Sequence, residues 1–306
     1  PGLKDEANLK GTYRTLDGYD GNLRDGKPMP IEDGLLSRSG WTFIDDSRSY
    51  LFDRSDWPWV AERDTTADAQ DWYFMAYGHD YKKALRDFTV FSGKVPLPPK
   101  YAFGYWWSRY WSYSDDEMRQ LVRDFRDYDI PLDVLVVDMD WHYNQPPRGG
   151  WTGYTWNRSL FPSPEGFLGW VKQQGLKVTM NLHPADGIKT WEDRWPQVAQ
   201  YMGMDTTQRK DIPYEGSNRR FMTALLDKVL KPMEQAGVDF WWIDWQQWLN
   251  DRKYKHLSNT WWINYVFFSN MERTRNTRPM LYHRWGGLGN HRYQIGFSGD
   301  AFISWK

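Results

Sequence analysis

The chain has 306 residues, of which 40% are hydrophobic, enough to bury a large core in one barrel or in two domains. Lys plus Arg (39) balance Asp plus Glu (40), and the net charge of −1 leaves no electrostatic footprint for nucleic acid or an anionic membrane. Mean hydropathy is −0.81 with no membrane-spanning apolar run, and the absence of cysteine excludes disulfides, thiolate metal sites and a cysteine nucleophile. The 21 Trp and 19 Tyr exceed ordinary usage; core and interface filling accounts for most of them, leaving a handful for a ligand. The start at Pro1, without initiator Met or signal peptide, reads as a processed or excised segment.

Residues 1–79 carry the turn signals Leu16-Asp17-Gly18, Asp20-Gly21 and Glu32-Asp33-Gly34, with strand-like pieces at Trp41–Ile44 and Trp72–Ala76. They read as part of a β-rich domain. Tyr81, Leu85, Phe88 and Phe91 recur at helical spacing, and Val95-Pro96-Leu97-Pro98-Pro99 is a stiff linker, so 80–97 is expected to connect two domains. A strand over Tyr101–Ser108 is followed by a capping box, Ser114 with Glu117, and an apolar helical face of Met118, Leu121, Val122, Phe125 and Tyr128. Further strands are expected over Asp133–Asp140, Leu176–His183, Val238–Asp244, Pro279–Arg284 and Ile295–Asp300. Helices are expected after Ser163, stopping at Gly175, and over Phe221–Met233, stopping at Gly237. Alternating β and α units predict a parallel sheet with ligand sites at the strands' carboxyl ends. Six strands are visible where a (β/α)8 barrel needs eight, so residues 98–306 are expected to be an incomplete barrel and the chain a fragment.

Two apolar runs end on carboxylates: Phe240-Trp241-Trp242-Ile243-Asp244 and Gly296-Phe297-Ser298-Gly299-Asp300. A parallel barrel delivers acids to its catalytic face in this way, and two carboxylates flanking a scissile bond are the equipment for cleaving a glycoside. Tryptophan suits the same substrate, because pyranose rings present apolar C–H faces. Each residue also has a plainer use: Asp244 as a helix cap, Asp300 as a turn residue, Trp242 as core.

Pro98-Pro99-Lys100-Tyr101-Ala102-Phe103-Gly104-Tyr105-Trp106, Val137-Asp138-Met139-Asp140, Trp242-Ile243-Asp244, and Arg284 sixteen residues before Asp300 occur in this order. In this the chain from about Leu97 to Trp305 resembles the catalytic barrel of glycoside hydrolase family 31, the α-glucosidase and α-xylosidase family. Residues 1–79 resemble its N-terminal β-sandwich more loosely. The resemblance implies a retaining, exo-acting α-glycoside hydrolase with Asp244 as nucleophile and Asp300 as acid/base. It implies that Asp138 binds sugar hydroxyls, that Met139 and Trp242 are walls of the cleaving subsite, and that Arg284 stands beside the acids, with no cofactor. His183, closing Asn181-Leu182-His183, points to the same face and is a pocket-rim candidate. Asp140 and His142 stay unassigned.

The implied substrate is an α-linked oligosaccharide or glycoside, first an α-glucoside, with α-xylosidase, α-galactosidase and transglycosylase as alternatives. Trp245-Gln246-Gln247 replaces the Met-Asn-Glu that many members carry after the nucleophile, so substrate preference does not transfer directly. Two rivals come from other classes. Asp138-Met139-Asp140 is a D-x-D motif, as in metal-dependent glycosyltransferases, but no Gly-rich nucleotide loop accompanies it. A non-catalytic carbohydrate-binding protein would use the same aromatic residues. A metallohydrolase built on His142, His183 and Asp186 lacks helical ligand spacing, and no metal is expected.

Overall fold

The computed structural model describes residues 5–11, 17, 19–20, 23–24, 27–28, 32–63, 69–245 and 248–302. It divides into two compact units, one of Pro98–Gln247 with Asn270–His283, the other of Pro1–Leu97, Trp248–Ser269 and Arg284–Lys306.

The unit that begins at Pro98 is built on parallel strands β1 (Trp106–Trp107), β2 (Val134–Val137), β3 (Lys177–Leu182), β4 (Phe240–Ile243) and β5 (Leu281–Arg284), the last residue of β5, Arg284, being assigned to the other unit. Neighbours pair in sequence order, with Trp106 opposite Val134, Thr179 opposite Val136 and Phe240, and Trp242 opposite Tyr282. In strand order β6 (Gly296–Phe297) follows β5, making a six-stranded sheet, the expected incomplete (β/α)8 arrangement.

The connections are helices α1 (Asp115–Asp127), α2 (Pro164–Gln173), α3 (Trp195–Met202) and α4. The capping box expected at α1 is present, Ser114 and Glu117 each accepting from the other's backbone N–H. Helix α4 runs from Arg219–Ala224 through a π-helical stretch, Leu225–Leu230, into Lys231–Ala236. Pro232 lies just past that stretch; it has no N–H to return to the preceding turn and its ring crowds the carbonyl four residues back, which favours a wider local winding.

The first strand is shorter than expected. Lys100–Phe103 forms a 3-10 turn, and only Trp106–Trp107 is extended. The Pro98-Pro99 entry presets a turn, and Gly104 is needed where the backbone meets Asp133, whose Oδ2 would lie 2.1 Å from an added Cβ. Asp133 also accepts from Tyr105 N (3.0 Å), and Asp239 accepts from Val178 N (2.9 Å) and Lys177 (2.8 Å), so carboxylates tie the amino-terminal ends of the strands.

Side-chain alternation then sorts the chemistry. Trp241 faces outward, its indole donating to Glu234 of α4 (2.8 Å). Phe240, Trp242 and Asp244 share the opposite face, where Trp106 lies 5.4 Å from Phe240 and Trp242 lies 5.3 Å from Tyr282. Aromatic rings thus fill the inner layers and leave the carboxylate at the strand's end.

In the other unit, Trp41–Asp45 pairs antiparallel with Trp72–Ala76, and Leu51–Phe52 with Val60–Ala61. The core there is aromatic: Trp59 packs edge-on to Trp57 and Trp262, and Tyr265 donates to the carbonyl of Pro58 (2.6 Å). Helix α5, Asn259–Thr274, lacks a polar stripe, with Thr260 and every residue from Trp262 to Phe268 buried. A helix buried on every side from Trp262 to Phe268, with the polar Asn264 inside that run, shows no 3.6-residue polar stripe, which is why no helical pattern is legible there.

Candidate active site

Asp244 follows β4 at its carboxyl end and is 5% exposed. Its Oδ2 lies 3.1 Å from Nε2 of His183, and Asn181 Nδ2 donates to the same oxygen (3.2 Å). Both partners project from the neighbouring strand end, two residues apart and so on one face of β3. The pocket-rim candidate His183 is therefore in direct contact with the expected nucleophile. Asn181, absent from the sequence candidates, joins it; the signal was its inward parity with His183. Donors aimed at a carboxylate oxygen favour its charged form and fix its orientation.

Asp138 ends β2 and caps the 3-10 turn Met139–Trp141 by accepting from Met139 N (2.7 Å). Burial pushes its carboxyl up to about 6, opposed by that hydrogen bond, with Asp244 raising it further and His183 lowering it. Asp138, His183 and Asp244 thus act on one another electrostatically across three adjacent strand ends. Met139 follows, half-buried, and Trp242 is 8% exposed on the inner face of β4. Asp140 is engaged differently: one oxygen accepts from Ser112 and the other from Asn144, so it clamps the loops after β1 and β2. His142 is fully buried, its Nδ1 donating to the Tyr143 carbonyl (2.9 Å), and burial pulls its pKa down to about 4, a neutral structural imidazole at ordinary pH.

Arg284 and Asp300 belong to the other unit. Arg284 ends β5, is 1% exposed, and donates from Nη1 to Oδ1 of Asp17 (2.7 Å) while its guanidinium lies 4.8 Å from the Phe297 ring. Asp300 N donates to the same Asp17 oxygen (2.7 Å). One carboxylate therefore ties the arginine to the segment carrying the second acid. Asp17 precedes a glycine in the sequence, and nothing in that local sequence separates it from an ordinary turn residue. Gln246 and Gln247, which mark the departure after Asp244, lie outside the described residues.

Another buried carboxyl lies in the loop after β3. Glu192 is 2% exposed and accepts from Thr155 Oγ1 (2.5 Å) and Tyr154 N (3.2 Å). Burial raises it to about 7, the hydrogen bonds opposing the shift.

The family model for the glycosyl hydrolases family 31 TIM-barrel domain matches residues 95–306. The chain belongs to this family. Among curated family 31 relatives it is 28% identical over 172 residues to an α-xylosidase of Saccharolobus solfataricus, covering 56% of this chain and 22% of that protein. It is 26% identical over 277 residues to α-glucosidase 2 of Bacillus thermoamyloliquefaciens, covering 76% and 33% respectively. The chain thus spans between about a fifth and a third of the length of these relatives. Among solved structures it resembles a cycloalternan-forming enzyme from Listeria monocytogenes with a TM-score of 0.65 and 15% identity, over 96% of this chain and 32% of that one. A family 31 α-xylosidase from a soil metagenome gives 0.63 and 16% over 87% and 41%. At these identities the structural likeness is one of fold.

Proposed function

We propose that the protein of which this chain is part hydrolyses α-glycosides with retention of configuration, by double displacement. The observation that supports this reading best is the strand-end carboxylate of Asp244, buried and held by His183 and Asn181 on the neighbouring strand. Asp244 attacks the anomeric carbon as the glycosidic C–O bond breaks, and Asp300 gives its proton to the leaving oxygen. Water then attacks the glycosyl-enzyme, passing a proton to Asp300 and releasing Asp244. Such a pair works with its carboxyls about 5–5.5 Å apart. Asp138 accepts hydrogen bonds from hydroxyls of the sugar being cleaved off, with Met139 and Trp242 as walls of its subsite. Arg284, anchored by Asp17, supplies a fixed cation near the acid/base.

In this reading residues 98–306 are the catalytic barrel, 80–97 a connector, and 1–79 part of the preceding β-sandwich. The substrate is an α-linked glucoside removed from a chain end. An α-xyloside is the second reading, because curated relatives named α-xylosidases stand beside the α-glucosidase at similar identity.

The full-length protein is to be assayed on aryl α-glucoside, α-xyloside and α-galactoside, then treated with the matching 5-fluoro-glycosyl fluoride. A glycosyl-peptide ester on Asp244, detected by mass spectrometry, is expected. Asp300→Ala should be crippling for a poor leaving group and milder for an activated aryl glycoside. Label on another residue, or equal losses on both substrates, overturns the assignment.

A further inference from the structure

A tryptophan on the loop after β2 stands over the nucleophile's partner. Trp151 packs edge-on to His183, ring centroids 5.2 Å apart, and His183 Nε2 is the atom 3.1 Å from Asp244. Yet Trp151 is 54% exposed, whereas Trp242 and Trp141 on the inner walls are nearly covered. A ring this large, held at a carboxylate site and left open to water, gives up apolar burial that a folded chain ordinarily takes.

The loop beneath it is rigidly mounted. Thr152 Oγ1 donates to the His183 carbonyl and accepts from Asp186 N (3.0 Å). Thr155 Oγ1 donates to Glu192 and accepts from Asp193 N (2.9 Å). Tyr143 N donates to the Thr155 carbonyl (3.2 Å), closing the loop on itself. Between the two threonines, Gly153 packs so close to His142 that an added Cβ would lie 2.2 Å from Nδ1. Anchored by Thr152 directly after it, the ring is presented next to His183, the preorganisation that a stacking surface needs.

We propose that Trp151 is the stacking wall for the leaving-group sugar, the first ring on the far side of the scissile bond. Its exposure, against the burial of Trp242 on the inner face of β4, is what assigns it to the ring beyond the one attacked by Asp244. The pyranose C–H face, carrying partial positive charge, lies against the electron-rich indole face. The occupant is therefore a second hexose or pentose ring, and substrates with such a ring gain affinity that a bare glycosyl donor does not. This rests on the glycosidase reading above.

The test compares full-length wild type, Trp151→Ala and Trp151→Phe on maltose and on α-glucosyl fluoride, which has no leaving-group ring. The ratio of kcat/KM for maltose to that for the fluoride should fall about tenfold in Trp151→Ala, and Trp151→Phe should restore most of it. An unchanged ratio, with both substrates losing equally, would make the ring structural and overturn the proposal. If the protein turns over no α-glycoside, the glycosidase reading fails, and Trp151 is judged by calorimetry with maltose in an Asp244→Asn background. About tenfold weaker binding in the Trp151→Ala variant then supports the stacking role. Unchanged binding, or no maltose binding in the parent, overturns it.

Discussion

His183 presents Nε2 to Oδ2 of Asp244 at 3.1 Å, with both side chains more than nine-tenths buried. The contact joins the ends of two adjacent strands, and Asn181, two residues before the histidine, donates to the same oxygen. In the proposed reaction, a buried carboxylate that attacks carbon would need fixed donors to keep it ionised and oriented.

Removing that contact should therefore act on turnover. His183→Ala in the full-length protein is expected to lower kcat about 10–100-fold, the worth of a hydrogen bond to a charged group. His183→Gln, which keeps an N–H donor, should recover part of the loss. Steady-state kinetics on the preferred aryl glycoside check this; an unchanged kcat in His183→Ala would show that the contact orients nothing in the reaction.

Asp138 should set an acid limb. Its carboxyl is pushed up to about 6 chiefly by burial, and in the proposed role it would accept hydrogen bonds from sugar hydroxyls best when ionised. As pH falls through about 6 the group gains a proton, and kcat/KM is expected to drop mainly through KM. Asp138→Asn should bind weakly at every pH and lose that limb. Measured pH profiles of the two proteins, identical in shape, would remove Asp138 from this role.

Glu192 makes a prediction about stability. Its pKa is raised from 4.5 to about 7, so the folded state holds its proton more tightly than the unfolded chain. The stabilisation is complete below about pH 4.5 and is lost as pH rises through about 7, up to about 3 kcal/mol in all. Glu192→Gln keeps one acceptor oxygen, which can serve both Thr155 Oγ1 and Tyr154 N as Oε2 does now, and cannot ionise. Thermal unfolding at pH 5 and pH 8 should therefore show the variant gaining on the wild type at the higher pH. Parallel behaviour of the two proteins would contradict a buried protonated carboxyl.

Asp17 is expected to matter for activity although it lies far from the barrel in sequence. It holds Arg284 Nη1 and Asp300 N through one oxygen, each at 2.7 Å. Asp17→Ala removes a partner from a guanidinium that is 1% exposed, a change that typically costs about 3–5 kcal/mol. Loss of activity with a lowered unfolding temperature is the expected result. Wild-type values for both would show that Arg284 and Asp300 are placed without it.

Local signals in the chain were enough for much of this. Ser114 with Glu117, Gly175 and Gly237 mark helix limits, the β-branched run before Asp138 marks a buried strand, and apolar runs ending on His183 and Asp244 mark two strand ends; the strand expected to reach Asp140 stops at Val137, where Asp138 caps a 3-10 turn. Each is a property of a few consecutive residues, so it survives in one dimension. The part of the turn at Tyr101–Phe103 reads as strand because its apolar residues look the same either way, and the close approach of Gly104 to Asp133 is a contact 29 residues apart in the chain.

What the sequence by itself determined is the order of the parallel strands, the parity of residues along them, and hence which side chains share a face. Only the tertiary structure decided who meets whom: His183 and Asn181 on Asp244, Ser112 and Asn144 on Asp140, Asp17 on Arg284 and Asp300. Those pairings depend on sheet register and loop closure, which come from packing over the whole chain. Two residues 283 apart, as Asp17 and Asp300 are, leave no local trace of their contact.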